Sequence, residues 1–271
     1  MTGTVRSKHY YKPKKDSHKD LGILDKIAGI VLNFPSYGYR RITAHLRREG
    51  TTINHKKVYR IMRQNGICCS IRRSYKHTTN SNHGLAKHPN LVKNLMPLGL
   101  NHIWHADITY IRFAQSFAYL AAIIDGYSRK VIGYAIGKTG KTLSPALTIS
   151  ALKVAMGKRN TVGLIHHSDQ GFQYCSGQYV KILKDNGIEI SMSEKANPYD
   201  NAKMESFFRT LKVEEVYMSD YETYDDVLDL VPYFIEETYN RKRLHSSLGY
   251  MPPEEFEDKF NKNMAHQLAL I

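Results

Sequence analysis

Long apolar runs are missing from this sequence. The longest, around Phe117 to Ile124, falls far short of the roughly 20 residues that a membrane-spanning helix needs. The start of the chain, MTGTVRSKHYYKPKK, is basic but has no apolar segment behind it, so it does not read as a secretion signal. Cysteine is scarce: Cys68 and Cys69 are adjacent and Cys175 is distant. That excludes a Cys-x-x-Cys metal spacing and an even-numbered disulfide framework, and it points to reduced thiols in a cytoplasmic protein. Acidic residues are nearly absent from residues 1–100, which hold 20 Lys/Arg against 4 Asp/Glu, whereas residues 101–271 hold 19 against 21. The formal charge of +14 therefore belongs to one part of the chain. Such a field favours a polyanion, because each phosphate neutralised by Lys or Arg releases a counterion.

The 271 residues suffice for one large domain or two smaller ones. Residues 1–20 read as a basic arm and ordered structure is expected from Leu21. LGILDKIAGIVLNF has helical apolar spacing, PSYGY breaks it, and RRITAHLRREG resumes it until Gly50. Asn54 is placed to cap a third helix, HKKVYRIMRQNGI, whose Val58, Ile61 and Met62 face inward and whose Lys56, Arg60 and Arg63 point out. Helix, short turn and helix with outward cations is the layout of a helix-turn-helix DNA module, here spanning 21–70. Residues 71–98 lack a sustained period and read as a linker, basic through Arg72 and Arg73 and able to follow a phosphate backbone.

From His102 the pattern changes. HIWHADITYIRF alternates, and FAYLAAIIDGYSRKVIGYAI is two apolar runs around Asp125-Gly126, a strong hairpin signal. A helix from TLSPALTISALKVAM, a strand from TVGLIHHSD, a helix from SGQYVKILKDNG and a strand from IEISM follow. The fold class is α/β, a mixed sheet flanked by helices and preceded by a small all-α domain.

Three carboxylates invite a chemical reading. Asp107 lies inside the first strand, where Asp is a poor strand former. Asp169 stands just past a strand end, where ligand-facing residues of α/β sheets collect. Glu205 lies on a helix whose Met204, Phe207, Phe208 and Leu211 form one apolar arc, with Glu205, Arg209 and Lys212 along its rim. If topology brings the three acids together, they repel one another without a cation and suit two hard ions such as Mg2+ or Mn2+, as phosphoryl displacement uses. Taken singly, Asp169 also reads as a helix cap and Glu205 with Arg209 as a surface pair. Asp125 is assigned to the hairpin turn, Asp200 to a helix cap, and His166, His167 and His245 to structural or phosphate-contact roles instead of zinc. AIGKTGKT, from Ala135 to Thr142, approaches a phosphate-binding loop, but Ala135 replaces its first Gly and the strand before it belongs to a hairpin, so an NTPase is only a remote alternative.

With WHADITYI, IDGYSRKVIGY, HSDQGFQY and YDNAKMESFFRTLKVE in hand, the chain resembles the DDE integrase-core transposases of bacterial insertion sequences, in particular the downstream-frame product of elements that encode their transposase in two overlapping frames. The 35 residues between Asp169 and Glu205 match that family's spacing. The resemblance implies an RNase H-like core over 99–245 and a C-terminal helical tail over 246–271. It implies that Asp107, Asp169 and Glu205 bind two divalent ions and that Lys212, with Arg209, contacts DNA near the reacting end. Through YNRKRLHSSLGYMPP it implies DNA contacts by Arg241, Arg243 or His245. The partners implied are double-stranded DNA, as terminal repeats and target, further copies of this chain in at least a dimer, and an upstream-frame product; the location implied is the bacterial cytoplasm, at the nucleoid. A non-catalytic DNA-binding regulator or assembly partner has the same motifs and stays open.

Overall fold

The structure, a computed structural model, describes residues 17–69, 84–138, 144–194 and 201–268. The chain forms two compact units, Met1–Ser70 and Ile71–Ile271. In the first, α1 (Ser17–Asn33), α2 (Tyr39–Arg48) and α3 (His55–Gln64) enclose Ile27, Ile30, Tyr37, Ile42, Leu46, Val58, Ile61 and Met62. Asn54 caps α3 by accepting from the Lys56 amide at 2.8 Å. The first helix begins four residues before Leu21. Asp20, expected in the arm, instead bonds Lys57 and Arg60 of α3 at 2.9 and 2.8 Å. Gly50 closes α2 at φ 81°, a left-handed conformation that a β-carbon disfavours.

In the second unit, β1 (Ile103–Phe113), β2 (Ser116–Asp125) and β3 (Val131–Lys138) form an antiparallel meander. α4 (Pro145–Lys158) leads to β4 (Ile165–Ser168), then α5 (Phe172–Cys175) and α6 (Gly177–Asp185) lead to β5 (Glu189–Met192). The strands lie in the order β3-β2-β1-β4-β5, with β4 parallel to β1 and β5 parallel to β4. α7 (Ala202–Leu211), α8 (Tyr224–Tyr233) and α9 (Pro253–Leu268) complete the unit.

Strand alternation divides the core between two faces. Ile111, Leu120, Ala122 and Ile124 pack with Met204, Phe207 and Leu211 of α7 and with Val227 and Val231 of α8. Trp104, Ala106, Ala121 and Ile123 pack on the other face with Ala151, Leu152 and Ala155 of α4 and with Tyr179 and Leu183 of α6. α7 thus covers the face of β1 that carries its odd-numbered residues, Asp107 among them.

One sequence expectation changes in detail. The β2–β3 connection is five residues, Gly126 to Lys130, instead of a two-residue turn. Asp125 is fully buried and accepts from the amides of Asn101, Tyr127 and Ser128 at 2.6, 2.8 and 2.9 Å, so its carboxylate organises a wider loop. The first part of the phosphate-loop pattern, Ala135 to Lys138, runs in β3 and pairs antiparallel with β2, unlike the parallel strand that feeds such loops. Lys141 and Asp200 lie outside the described residues. Asn201 is the N-cap of α7, and its side chain makes no capping bond.

A β-carbon on Gly133 of β3 would lie 2.5 Å from the Ala151 carbonyl oxygen and 2.8 Å from the Ala155 β-carbon, so α4 approaches the sheet at a distance that only glycine permits. Gly133→Ala is expected to destabilise the chain by about 1–3 kcal/mol, as overpacking does. Urea unfolding with an unchanged midpoint would contradict so close a helix–sheet approach.

Candidate active site

The parallel register of β1 and β4 pairs Ile103 with Ile165, Trp104 with His166 and His105 with His167. In-register residues of parallel strands share a face, and the His105 and His167 rings do meet, edge to face, with centroids 5.5 Å apart. Two residues further along each segment stand Asp107, still in β1, and Asp169, just past the end of β4.

Within the histidine row, His167 has neutral partners on both ring nitrogens. His167 bonds the hydroxyls of Ser191 and Ser193 at 2.8 and 3.1 Å. His166, on the opposite face, bonds the Tyr179 hydroxyl at 2.9 Å and is pushed down to about 3 by burial. These histidines are structural. Asp169 accepts from the Gly171 amide at 2.9 Å, and a β-carbon on Gly171 would sit 2.9 Å from the same carboxylate oxygen, so glycine makes that tight turn possible. Gln170 donates to the Ser193 carbonyl at 2.9 Å, fixing the loop to the end of β5.

α7 supplies the third acid. Met204, Phe207, Phe208 and Leu211 are buried, Glu205 and Arg209 are exposed, and Lys212 is half-buried as the helix widens into a π-helical turn, Lys212–Val216. Asp107 registers the whole group. Burial raises its carboxyl to about 8, the charge of Asp169 adds to the rise and that of Glu205 adds less, while the Ile108 amide and Lys212 pull it back. Burial lowers the Lys212 ammonium, and Asp107 opposes that shift. Side chains from three separate segments thus act on the Asp107 carboxyl.

Among the described residues, no three acidic, His or Cys side chains form a ready-made metal cage. An open, carboxylate-only donor set suits a Mg2+-class ion, which keeps waters and shares its shell with substrate phosphates. The elevated Asp107 carboxyl has the physical signature of acids that a cation would relieve.

Comparisons with known proteins agree with this architecture. An integrase core domain family matches residues 99–198, another integrase core domain family matches 186–253, and an HTH-like domain family matches 18–75. The chain is 36% identical over 275 residues to the insertion element IS600 uncharacterized 31 kDa protein of Shigella sonnei, with 98% of each chain covered. It is 37% identical over 231 residues to transposase InsF for insertion sequence IS3A of Escherichia coli (strain K12), covering 84% of this chain and 78% of that one. The chain belongs to the integrase-core transposases of bacterial insertion sequences. Its catalytic unit has the RNase H-like integrase fold. The HTLV-2 integrase catalytic core domain in complex with magnesium aligns with a TM-score of 0.41 and 18% identity over 56% of this chain and 94% of that one.

Several cations of this transposase are placed differently from the sequence expectation. Lys56 and Arg63 are exposed on α3, whereas Arg60 is held by Asp20 and Gln64. Arg72 and Arg73 lie outside the described residues. Arg243, expected to touch DNA, is 4% exposed and forks onto both carboxylate oxygens of Glu214 at 2.7 Å. Arg241 bonds Glu237 and, at 3.1 Å, Glu254. His245 is buried against the Tyr239 ring and paired in a bridge with Met251. Burial turns Arg243 and His245 inward, while Arg241 stays exposed beside its acidic partners.

Sequence alone gives no signal for two residues near the acids, Lys203 and His105. Lys203 of α7 meets His105 Nε2 at 3.1 Å and is lowered to about 8, by burial first and Arg129 next, with Asp125 opposing. Asn201 donates to the Ala106 carbonyl at 3.4 Å. No periodicity marks these pairings, because they depend on how α7 lies on β1.

Asp107 titrates near 8 in the folded chain, against its ordinary 3.8. Between those values the folded state keeps a proton that the unfolded state has released, so this group makes stability fall as pH rises through the window. Asp107→Asn should flatten that fall when both proteins are melted in chelator from pH 5 to pH 8. Parallel curves for the two would refute the coupling.

Proposed function

We propose that this transposase binds the ends of its insertion sequence and cuts and joins DNA strands at the Asp107, Asp169 and Glu205 site. The observation that supports this most directly is the Asp107 carboxyl, raised first by burial and further by the charges of Asp169 and Glu205, against the pull of the Ile108 amide and Lys212. In this reading Asp107 and Asp169 are the shared ion ligands and Glu205 completes the set from the rim of α7. When bound, Mg2+ or Mn2+, two per complete site, supplies charge neutralisation and Lewis-acid activation for an in-line displacement at phosphorus.

The chain's own groups orient the reaction. Lys212 and Arg209, on the same rim as Glu205, hold the phosphate and stabilise its developing charge. A water first attacks the phosphodiester beside the 3' end of the element, forming one P–O bond as another breaks and leaving a free 3' hydroxyl. That hydroxyl then attacks a target phosphodiester. One ester replaces another, so the joining step requires no nucleotide hydrolysis. Lys56 and Arg63 of α3 face the DNA from the first unit, with Arg72 and Arg73 of the linker as further phosphate contacts. Two element ends require at least two copies of the chain, and an upstream-frame product is a further partner.

Asp169→Asn is expected to reduce single-turnover strand transfer in Mg2+ by at least about 10²-fold, the scale of removing one group that stabilises the transition state. Wild-type rates in that variant would defeat the enzymatic reading and leave a DNA-binding regulator. Each of Lys56→Ala and Arg63→Ala should make the dependence of log affinity on log salt shallower by about 0.9, the amount that one neutralised phosphate contributes. Unchanged slopes would remove α3 from the interface.

A further inference from the structure

α7 meets β1 through its apolar stripe and also through two polar contacts. The Lys203 ammonium lies 3.1 Å from His105 Nε2 and Asn201 Nδ2 donates to the Ala106 carbonyl at 3.4 Å. An ammonium has donors only, so the imidazole accepts through Nε2, and its other nitrogen, Nδ1, is buried without a partner. Asn201 is the N-cap of α7, yet its side chain makes no bond to the helix it caps. Both side chains forgo ordinary roles, one as a solvated cation and the other as a cap. They reach instead to the two residues that precede Asp107.

An apolar stripe holds a helix against a sheet but leaves it some freedom to roll and slide. Lys203 and Glu205 are two residues apart, about 200° around the helix axis. Anchoring Lys203 inward on His105 therefore fixes the roll that presents Glu205 at the rim. Asn201, one turn before Glu205, fixes the slide along β1. Both anchors fall within a turn of Glu205 and within two residues of Asp107.

Resting on the metal-site reading above, we propose that Lys203 is a positioning residue: its bond to His105, supported by Asn201, sets Glu205 of α7 against Asp107 of β1 so that the acids can share a cation. It touches neither substrate nor ion. Removing such a support leaves all three acids in place but mispositions one of them, so the loss should appear in cation affinity before DNA is added.

The test is Mn2+ titration calorimetry on the full chain, together with binding of element-end DNA in chelator. Lys203→Met keeps the aliphatic stem and removes the donor, and His105→Phe keeps a ring and removes the acceptor. Each is expected to weaken Mn2+ binding roughly 10–100-fold, the range for supports of metal ligands, with DNA affinity in chelator unchanged. The double variant should lose no more than either single one, because both remove the same bond. Asp169→Asn serves as the control and should abolish the Mn2+ heat. If wild type binds Mn2+, Asp169→Asn does not, and Lys203→Met binds as wild type, the positioning role alone is overturned. A wild-type chain that takes up no Mn2+ overturns the site reading and this inference with it. Reduced DNA affinity in chelator with unaltered Mn2+ binding would make Lys203 a phosphate contact instead. Should Lys203→Met fail to fold, His105→Phe carries the same comparison from the other side of the bond.

Discussion

Parallel pairing between β1 and β4 spans only three residue pairs, yet it decides where the acids stand. Asp107 and Asp169 each follow a paired histidine by two residues, and the charge of Asp169 acts on the Asp107 carboxyl. The sheet beneath those acids offers no compensating charge. His105 is held well below its ordinary value by burial, and both nitrogens of His167 are occupied by serine hydroxyls. Relief of the repulsion has to come from the open side, where Lys212 stands and where a cation has access. A donor set closed on all sides would leave a bound ion no position for substrate; this one leaves room for phosphate oxygens.

Such a site is locally unfavourable and depends on burial elsewhere. α7 places Met204, Phe207, Phe208 and Leu211 in the core, and burying each large apolar side chain fully contributes about 1.5–3 kcal/mol. That stripe carries Glu205 to the rim as a by-product of packing. Beyond it, the π-helical turn at Lys212–Val216 holds Glu214, which Arg243 grips with both arms of its guanidinium. Asn240 acts similarly at β3, accepting from the Val131 amide and donating to its carbonyl, both at 3.0 Å. A buried ion pair is weak evidence of net stability. Its geometric effect is firmer: the C-terminal motif fixes the turn that begins at Lys212, and so bears on the site without facing it.

What could be read from the sequence followed from periodicity and local chemistry. The alternation of HIWHADITYIRF and the helical spacing around Val58, Ile61 and Met62 are local patterns, and so is the Asn54 cap; each element formed as its own residues dictate. The acids were legible one by one as misfits, Asp107 in a strand and Asp169 at a strand end, but their convergence rests on strand order, which no local pattern contains. The resemblance to a family supplied it. Arg243 illustrates the opposite failure. In sequence it is one more cation in NRKR, and only its meeting with Glu214, 29 residues away, makes it a buried structural group. Lys203 was missed for the same reason, since a long amphipathic side chain can go to solvent or inward and its own neighbours do not choose.

The fate of these cations bears on how charge should be read in the whole chain. An arginine locked onto a carboxylate is nearly neutral as a unit, so it contributes little to the distant field and offers few free donors to a phosphate. In the first unit Asp20 holds both Lys57 and Arg60 and so offsets only one of the two charges, while Lys56 and Arg63 are exposed on α3. In the second, Glu214, Glu237 and Glu254 take Arg243 and Arg241. Under the proposed function, the described cations of the first unit whose acidic neighbours lie elsewhere are the ones free to meet a phosphate directly. Along α7 the same distinction separates a Lys203 turned toward His105 from an Arg209 left at the surface.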